Sequence, residues 1–176
     1  MQNSESALVI LVPEAEPLVG PVRERFDPSA AQGVPAHVTL LYPFIDPQTL
    51  NQSIVDAIED CLRPKASFSF SLTTIKRFPD RTLYLAPEPD EPFRSLTKAL
   101  WRRFPETPPY RGQWPDIIPH LSIGRFAYEA EAEAVSLKLV QAWKGKLPIR
   151  ATARDVVLID NVAGRWTTRK KFQLGG

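Results

Sequence analysis

"HVTLLYPF", His37 to Phe44, places a histidine in an otherwise apolar strand. The chain of 176 residues has only one other histidine, in "HLSIGRF", His120 to Phe126. Side chains alternate faces along a strand, so His37 and Thr39 share one side, and Val38, Leu40 and Tyr42 share the side that can build core. In the second stretch His120 pairs with Ser122 in the same way, backed by Leu121 and Ile123. The pattern is histidine, any residue, a hydroxyl residue, an aliphatic, and both histidines of the chain carry it. Average composition puts a hydroxyl residue and then an aliphatic after a given histidine roughly one time in thirty, so two copies by chance are on the order of one in a thousand.

The rest of the chain supplies a frame for these stretches. "ALVILVPE" reads as a buried strand. A helix over 16–26 carries Leu18, Val22 and Phe26 on one face. "DPQTLNQSIVDAIEDCLRP" reads as a helix with Asp46 as N-cap, Pro47 at its first position and Leu50, Ile54, Ile58 and Leu62 as its stripe. "SFSFSLTTIKRF" alternates as a half-buried strand, with Phe68, Phe70 and Leu72 inward, and "RTLYLAP" returns after a turn at 78–81. "DEPFRSLTKALWRRF" is a helix that turns Phe93, Leu96, Leu100 and Phe104 inward. A proline-rich loop leads to "HLSIGRFA", a strand. "YEAEAEAVSLKLVQAWKG" is a helix ending at Gly145. "IRATARDVVLIDN" and "GRWTTRKKFQL" form a closing hairpin around "NVAG". Strands and helices mix without strict β-α-β alternation, which indicates α+β with mainly antiparallel sheets. Each histidine strand follows a proline (Pro35, Pro119) and precedes an amphipathic helix. The histidines lie 83 residues apart, about half the chain, so two related lobes facing each other would explain the repeat.

Composition narrows the function. Hydrophobic content of 43% and charged content of 24% are those of an ordinary globular protein, and the length fits one domain spanning 1–176 or two small lobes with a common core. The longest apolar run, Ala7 to Val12, is far short of the roughly 20 residues of a membrane span. The N-terminus does not read as a signal peptide. A cytoplasmic protein, without membrane attachment, is expected. Cys61 is the only cysteine, which rules out an internal disulfide and a CxxC motif, and it reads as an inert core thiol. Two histidines without clustered carboxylates do not make a metal site, and no cofactor is expected. A net charge of +2 suits a small anion or a nucleic-acid end better than duplex DNA.

Two imidazoles facing across a cleft can divide general base and general acid between them. Two hydroxyls beside them can donate to the non-bridging oxygens of an anion. A phosphodiester fits, above all a strained cyclic one.

"HVTL" and "HLSI", half a chain apart, resemble the paired motifs of the 2H phosphoesterase superfamily, in particular LigT-like 2'-5' RNA ligases and cyclic nucleotide phosphodiesterases. The resemblance covers nearly the whole chain. It implies a bilobal α+β fold with pseudo-two-fold symmetry around a central groove, one motif from each lobe. It implies metal-independent hydrolysis of 2',3'-cyclic phosphates or related 2'-5' chemistry. His37 and His120 become the acid/base pair, and Thr39 and Ser122 the phosphate-binding hydroxyls. Arg125 matches the basic residue that often follows the second motif, although strict alternation aims it away from His120 unless Gly124 marks a bulge. The substrate would be a nucleotide or RNA terminus with a cyclic phosphate, handled by a monomer that needs no protein partner.

Tyr42, Phe44 and Phe126, just past the motifs, could stack on a base or pack in the core. Tyr110 and Trp114, in the loop before His120, could line the groove. "KRFPDR", Lys76 to Arg81, reads as a charged turn, and "RWTTRKKF", Arg165 to Phe172, as an edge strand kept soluble by charge, with guidance of an RNA end as the alternative. Two rivals stand beside the enzyme: a module that binds the nucleotide or RNA end without turnover, and a structural role for two buried, satisfied histidines.

Overall fold

The computed structural model describes residues 4–175. Two four-stranded antiparallel sheets form the frame. The first contains β1 (Ser6–Leu11), β2 (His37–Leu41), β7 (Asp155–Asp160) and β8 (Thr167–Gln173) in the order β2-β1-β7-β8. The second contains β3 (Phe68–Arg77), β4 (Thr82–Glu88), β5 (Leu121–Arg125) and β6 (Ile149–Ala153) in the order β5-β4-β3-β6. Both motifs therefore fall on an edge strand, or immediately before one in the case of His120. The fold is the bilobal α+β arrangement with pseudo-two-fold symmetry.

The repeat is larger than the motif. In the first half β1 leads through α1 (Glu16–Phe26) and the short α2 (Pro28–Ala31) to β2, and α3 (Gln52–Leu62) follows. In the second half β4 leads through α4 (Glu91–Arg103) to β5, and α5 (Glu129–Ala142) follows. The long helices cross over. α1 packs on β5 of the other half, and α4 packs on β2. Phe26, the last residue of α1, meets Phe126 with ring centroids 5.0 Å apart. Phe104, just past α4, meets Phe44 edge-on at 5.1 Å. Both Phe44 and Phe126 are thus core residues, 7% and 4% exposed, and neither is available to stack on a base.

Three local expectations need correction. α3 begins at Gln52, and its N-cap is Asn51, which accepts from the Ile54 amide. Asp46 instead closes a turn by accepting from the Gln48 amide. The segment 149–160 is not one strand: β6 joins the second sheet, the chain turns at Arg154, and β7 joins the first. On α1, Leu18, Val22 and Phe26 are only partly buried, while Val19 and Arg23, one position further on, are buried completely. The other elements expected from periodicity are found, and the short α2 and the 3-10 turns at Pro13–Ala15 and Pro109–Gly112 are added to them. Gly145 stands past the end of α5 in the left-handed region, at φ 77°. Cys61 is half-buried against the core, and burial raises its pKa. Among the described residues no helix is long and apolar enough to cross a membrane.

The crossing of α1 over β5 depends on Gly124. A Cβ built there would lie 2.7 Å from the Cβ of Phe26, a distance that real side chains do not tolerate. Gly124→Ala should therefore push α1 off β5 and cost about 1–3 kcal/mol, read as a lowered midpoint in thermal unfolding followed by circular dichroism.

Candidate active site

Each motif strand carries a β-bulge at the same motif position. Leu8 pairs with Leu41 and Val9 with Thr39, so Leu40 is the extra residue on β2. Leu83 pairs with Gly124 and Tyr84 with Ser122, so Ile123 is the extra residue on β5. The fourth motif residue is the bulge in both cases, and both bulge residues are buried. A bulge reverses the alternation beyond it. Tyr42, expected among the core residues, therefore joins a small cluster with Val9, Leu11 and Trp166 on the face that carries Thr39. Arg125 stands five residues after His120, as Tyr42 stands five after His37, and the second bulge turns it to the face of Ser122.

The histidines are also tethered alike. His37 Nδ1 lies 2.8 Å from the Pro35 carbonyl oxygen, and His120 Nδ1 lies 2.7 Å from that of Ile118. A carbonyl oxygen can only accept, so Nδ1 must carry the hydrogen in each ring. In the neutral imidazole the lone pair is then on Nε2. The strands β2 and β5 pack against each other, and the rings are close enough that charge on His120 disfavours charge on His37.

Their surroundings differ. Behind His37 lies Arg23, 2% exposed. Its guanidinium donates to Asp27 (3.0 Å), to the Ser29 hydroxyl (3.2 Å) and to the Val34 carbonyl (3.1 Å). Glu16 accepts from the Ala36 amide. Arg23 and Glu16 thereby fix the backbone on either side of Pro35, whose carbonyl aims His37. Around His120, Phe78 and Tyr84 stack on each other at 4.1 Å and stand edge-on to the imidazole at 4.9 and 5.6 Å. Tyr110 lies nearly parallel to the same ring, with centroids 6.3 Å apart.

Burial is the main force on both imidazoles. It holds His37 at about 4, with Arg23 and His120 adding to the effect and the Pro35 carbonyl and Asp27 opposing it. It also lowers His120, but there the opposing groups are the Ile118 carbonyl and Asp80. Asp80 is ionised below the usual carboxylate range. Burial works against its charge, but hydrogen bonds from Thr82 and the Arg125 guanidinium outweigh that. Arg125 meets Asp80 at 2.9 Å and is otherwise exposed.

Tyr110 ties the halves together. Its amide donates to the Tyr42 carbonyl at 2.6 Å. Burial pushes the Tyr110 phenol up to about 12. Tyr110 and Arg111 hold φ values of 50° and 57°, a left-handed pair without glycine that costs of order 1–3 kcal/mol per residue. Arg111 and the Tyr42 hydroxyl both bond Glu5, at 3.2 and 2.8 Å. Thr39 and Ser122 are half-buried. Trp114 is 57% exposed on the loop and is not brought to the histidines by any described contact. Arg23, Asp80, Phe78 and Tyr84 were not read from the sequence as site residues. Trp166, 6.3 Å from Tyr42, was noted there only as part of a basic edge strand.

The sequence model of the 2'-5' RNA ligase superfamily matches residues 11–165. The chain belongs to that superfamily, whose members are the 2H phosphoesterases. No curated protein matches the sequence. Among solved structures, TT0787 of Thermus thermophilus superposes with a TM-score of 0.65 at 16% identity, covering 98% of each chain. E. coli LigT complexed with NADP+ gives 0.65 at 16% identity over 100% of both chains. A crystal structure of a phosphoesterase gives 0.65 at 18% identity, covering 99% of this chain and 100% of the other. At these identities the likeness is one of fold.

Two outcomes follow from the buried charges. Arg23→Met should cost about 3–5 kcal/mol in urea unfolding, because it leaves the Asp27 carboxylate buried without its partner. His37 holds its proton more weakly folded than unfolded, so the unfolded chain takes up protons first as pH falls below 6.5. Stability should therefore fall between pH 6.5 and about 4. His37→Gln should flatten that part of the profile, measured as denaturant midpoint against pH.

Proposed function

We propose that the protein is a phosphoesterase that opens 2',3'-cyclic phosphates of RNA ends or small nucleotides, or cleaves related 2'-5' linkages, by two-histidine acid/base catalysis. One observation carries this reading: two imidazoles, from equivalent positions in the two halves, have the same tether and the same bulge, and neither Nε2 has a hydrogen-bond partner among the described residues. A structural histidine needs neither the duplication nor the free nitrogen. A module that only binds would have no use for two proton carriers. The family supports a phosphoester substrate, and E. coli LigT has been crystallised with 3'-AMP and with ATP.

In this mechanism the Thr39 and Ser122 hydroxyls, with Arg125 at the rim, hold the non-bridging oxygens. Water attacks phosphorus and gives its proton to Nε2 of one histidine. The bond from phosphorus to one ribose oxygen breaks, the electron pair stays on that oxygen, and Nε2 of the other histidine protonates it. Two imidazoles supply both proton transfers, so the chemistry requires no metal. The electrostatics favour His37 as the base, since Arg23 disfavours a proton there, and His120 as the acid, since Asp80 favours one. A bound phosphate raises the proton affinity of both rings.

His37→Ala and His120→Ala should each lower kcat on a 2',3'-cyclic nucleotide by about 10²–10⁴-fold while remaining folded, with wild-type turnover undiminished by EDTA. A substrate with sulfur in place of the departing ribose oxygen separates the roles, because a thiolate leaves without a proton. That substrate should restore turnover in His120→Ala and not in His37→Ala. Rescue of the opposite variant would exchange the roles, and full activity in both would end the two-histidine reading.

A further inference from the structure

Beside His120 the second sheet opens into a cleft of about 760 Å³, within the size range of small-ligand sites. It is lined by Lys76, Tyr84, Ala86, Arg94, Ile118 and Pro119, with Glu88 at one end. It continues the candidate active site, because Tyr84 both lines the cleft and stands against the imidazole. The carbonyl that tethers His120 belongs to Ile118, another lining residue.

The strand register gives the cleft a direction. Ser122 on β5 lies opposite Tyr84 on β4, and Tyr84 lies opposite Lys76 on β3. Residues directly opposite in an antiparallel pair share a face. Ser122, Tyr84 and Lys76 therefore form one row across the sheet, from a phosphate-binding hydroxyl to an aromatic ring to an ammonium group. Two strand spacings make that row about 10 Å long, the scale of one nucleotide. The charges are also ordered along the cleft. Arg94 is committed to Asp90, which it meets at 2.7 and 2.9 Å. Lys76 forms no ion pair among the described residues. Glu88 stands four residues along β4 from Tyr84, about 13 Å away, and Asp90 lines the cleft beyond it, so the carboxylates are set apart from the row that carries Lys76.

We propose that this cleft binds the 5' side of the terminal nucleotide, with its ribose passing the edge of Tyr84, a ring 7% exposed and stacked on Phe78, and its 5'-phosphate on Lys76. The inference rests on the cyclic-phosphate reading and names its substrate class: an end that carries a second phosphate one ribose away from the reacting one, as an oligonucleotide end does and a nucleoside cyclic phosphate does not. Lys76 is a specificity residue in this assignment and takes no part in the proton transfers.

The test compares kcat/KM for a nucleoside 2',3'-cyclic phosphate with that for a dinucleotide ending in the same cyclic phosphate. Wild type should prefer the dinucleotide by about tenfold or more, the scale of one charge-assisted hydrogen bond. Lys76→Ala should bring the ratio close to one, and Lys76→Glu should invert it. Lys138→Ala, on the exposed side of α5, controls for loss of positive charge alone and should keep the ratio. A wild-type ratio near one, or a ratio unchanged in Lys76→Ala, overturns the assignment. If neither substrate turns over, the catalytic reading fails, and binding of the ring-opened dinucleotide and mononucleotide products, measured by titration calorimetry, decides the cleft separately. A preference for the dinucleotide that Lys76→Ala abolishes upholds it, and equal binding overturns it.

Discussion

The crossing of α1 onto β5 and of α4 onto β2 is the packing on which the rest of the molecule depends. Each sheet presents its motif on an edge, where a strand has a neighbour on one side only. An edge strand left to itself is the least constrained part of a sheet. Here the helix from the opposite half covers it, and aromatic contacts lock both crossings, Phe26 on Phe126 and Phe104 on Phe44. The approach is close enough that one position admits only glycine. Two edges held this firmly can keep two side chains in register across the gap between the halves.

Within that frame, burial and not charge pairing sets the chemistry of the rings. Desolvation is the largest influence on both imidazoles. The neighbouring charges are smaller and differ between the sites: at His37 the Arg23 cation is partly offset by the Asp27 carboxylate, and at His120 the Asp80 carboxylate acts unopposed. Near-symmetric backbone geometry thus carries an asymmetric electrostatic environment. The asymmetry comes from residues outside the two motifs, Arg23 on α1 and Asp80 in the β3–β4 turn. Reactions that move one proton in and another out need such a difference between otherwise similar groups.

Much of this was legible in the sequence because burial imposes a period. The stripe of α4 and the alternation of β3 were visible, and so was the repeated motif. What escaped has particular causes. The Asp46-Pro47 pair carries the chemistry of a cap, but Asn51 stands closer to the periodic run from Ile54 and takes that place. The segment 149–160 has unbroken strand character, and nothing in its residues marks the change of sheet at Arg154. Leu40 looks like an ordinary strand residue, so the bulge that redirects Tyr42 does not show, whereas Gly124 marks the neighbourhood of the one at Ile123 that redirects Arg125. A charged residue on a helix reads as solvent-facing, yet Arg23 is among the most buried side chains. Its partners come from the Asp27 cap and the Val34 backbone, contacts that only the closed chain brings together. The left-handed pair at Tyr110 and Arg111 has no glycine to announce it.

The exchanged helices bear on how such a molecule can arise and change. A duplicated unit of strand, helix and motif strand ordinarily gives two copies that could each stand alone. In this chain each copy lends its helix to the other, so neither half contains a finished hydrophobic core. The lobes are symmetric in outline but not autonomous, and unfolding one uncovers the motif of the other. A substitution at an α1–β5 contact is felt in both halves at once. The two copies must therefore drift together, and a gene split between them would yield fragments that are sticky until they meet.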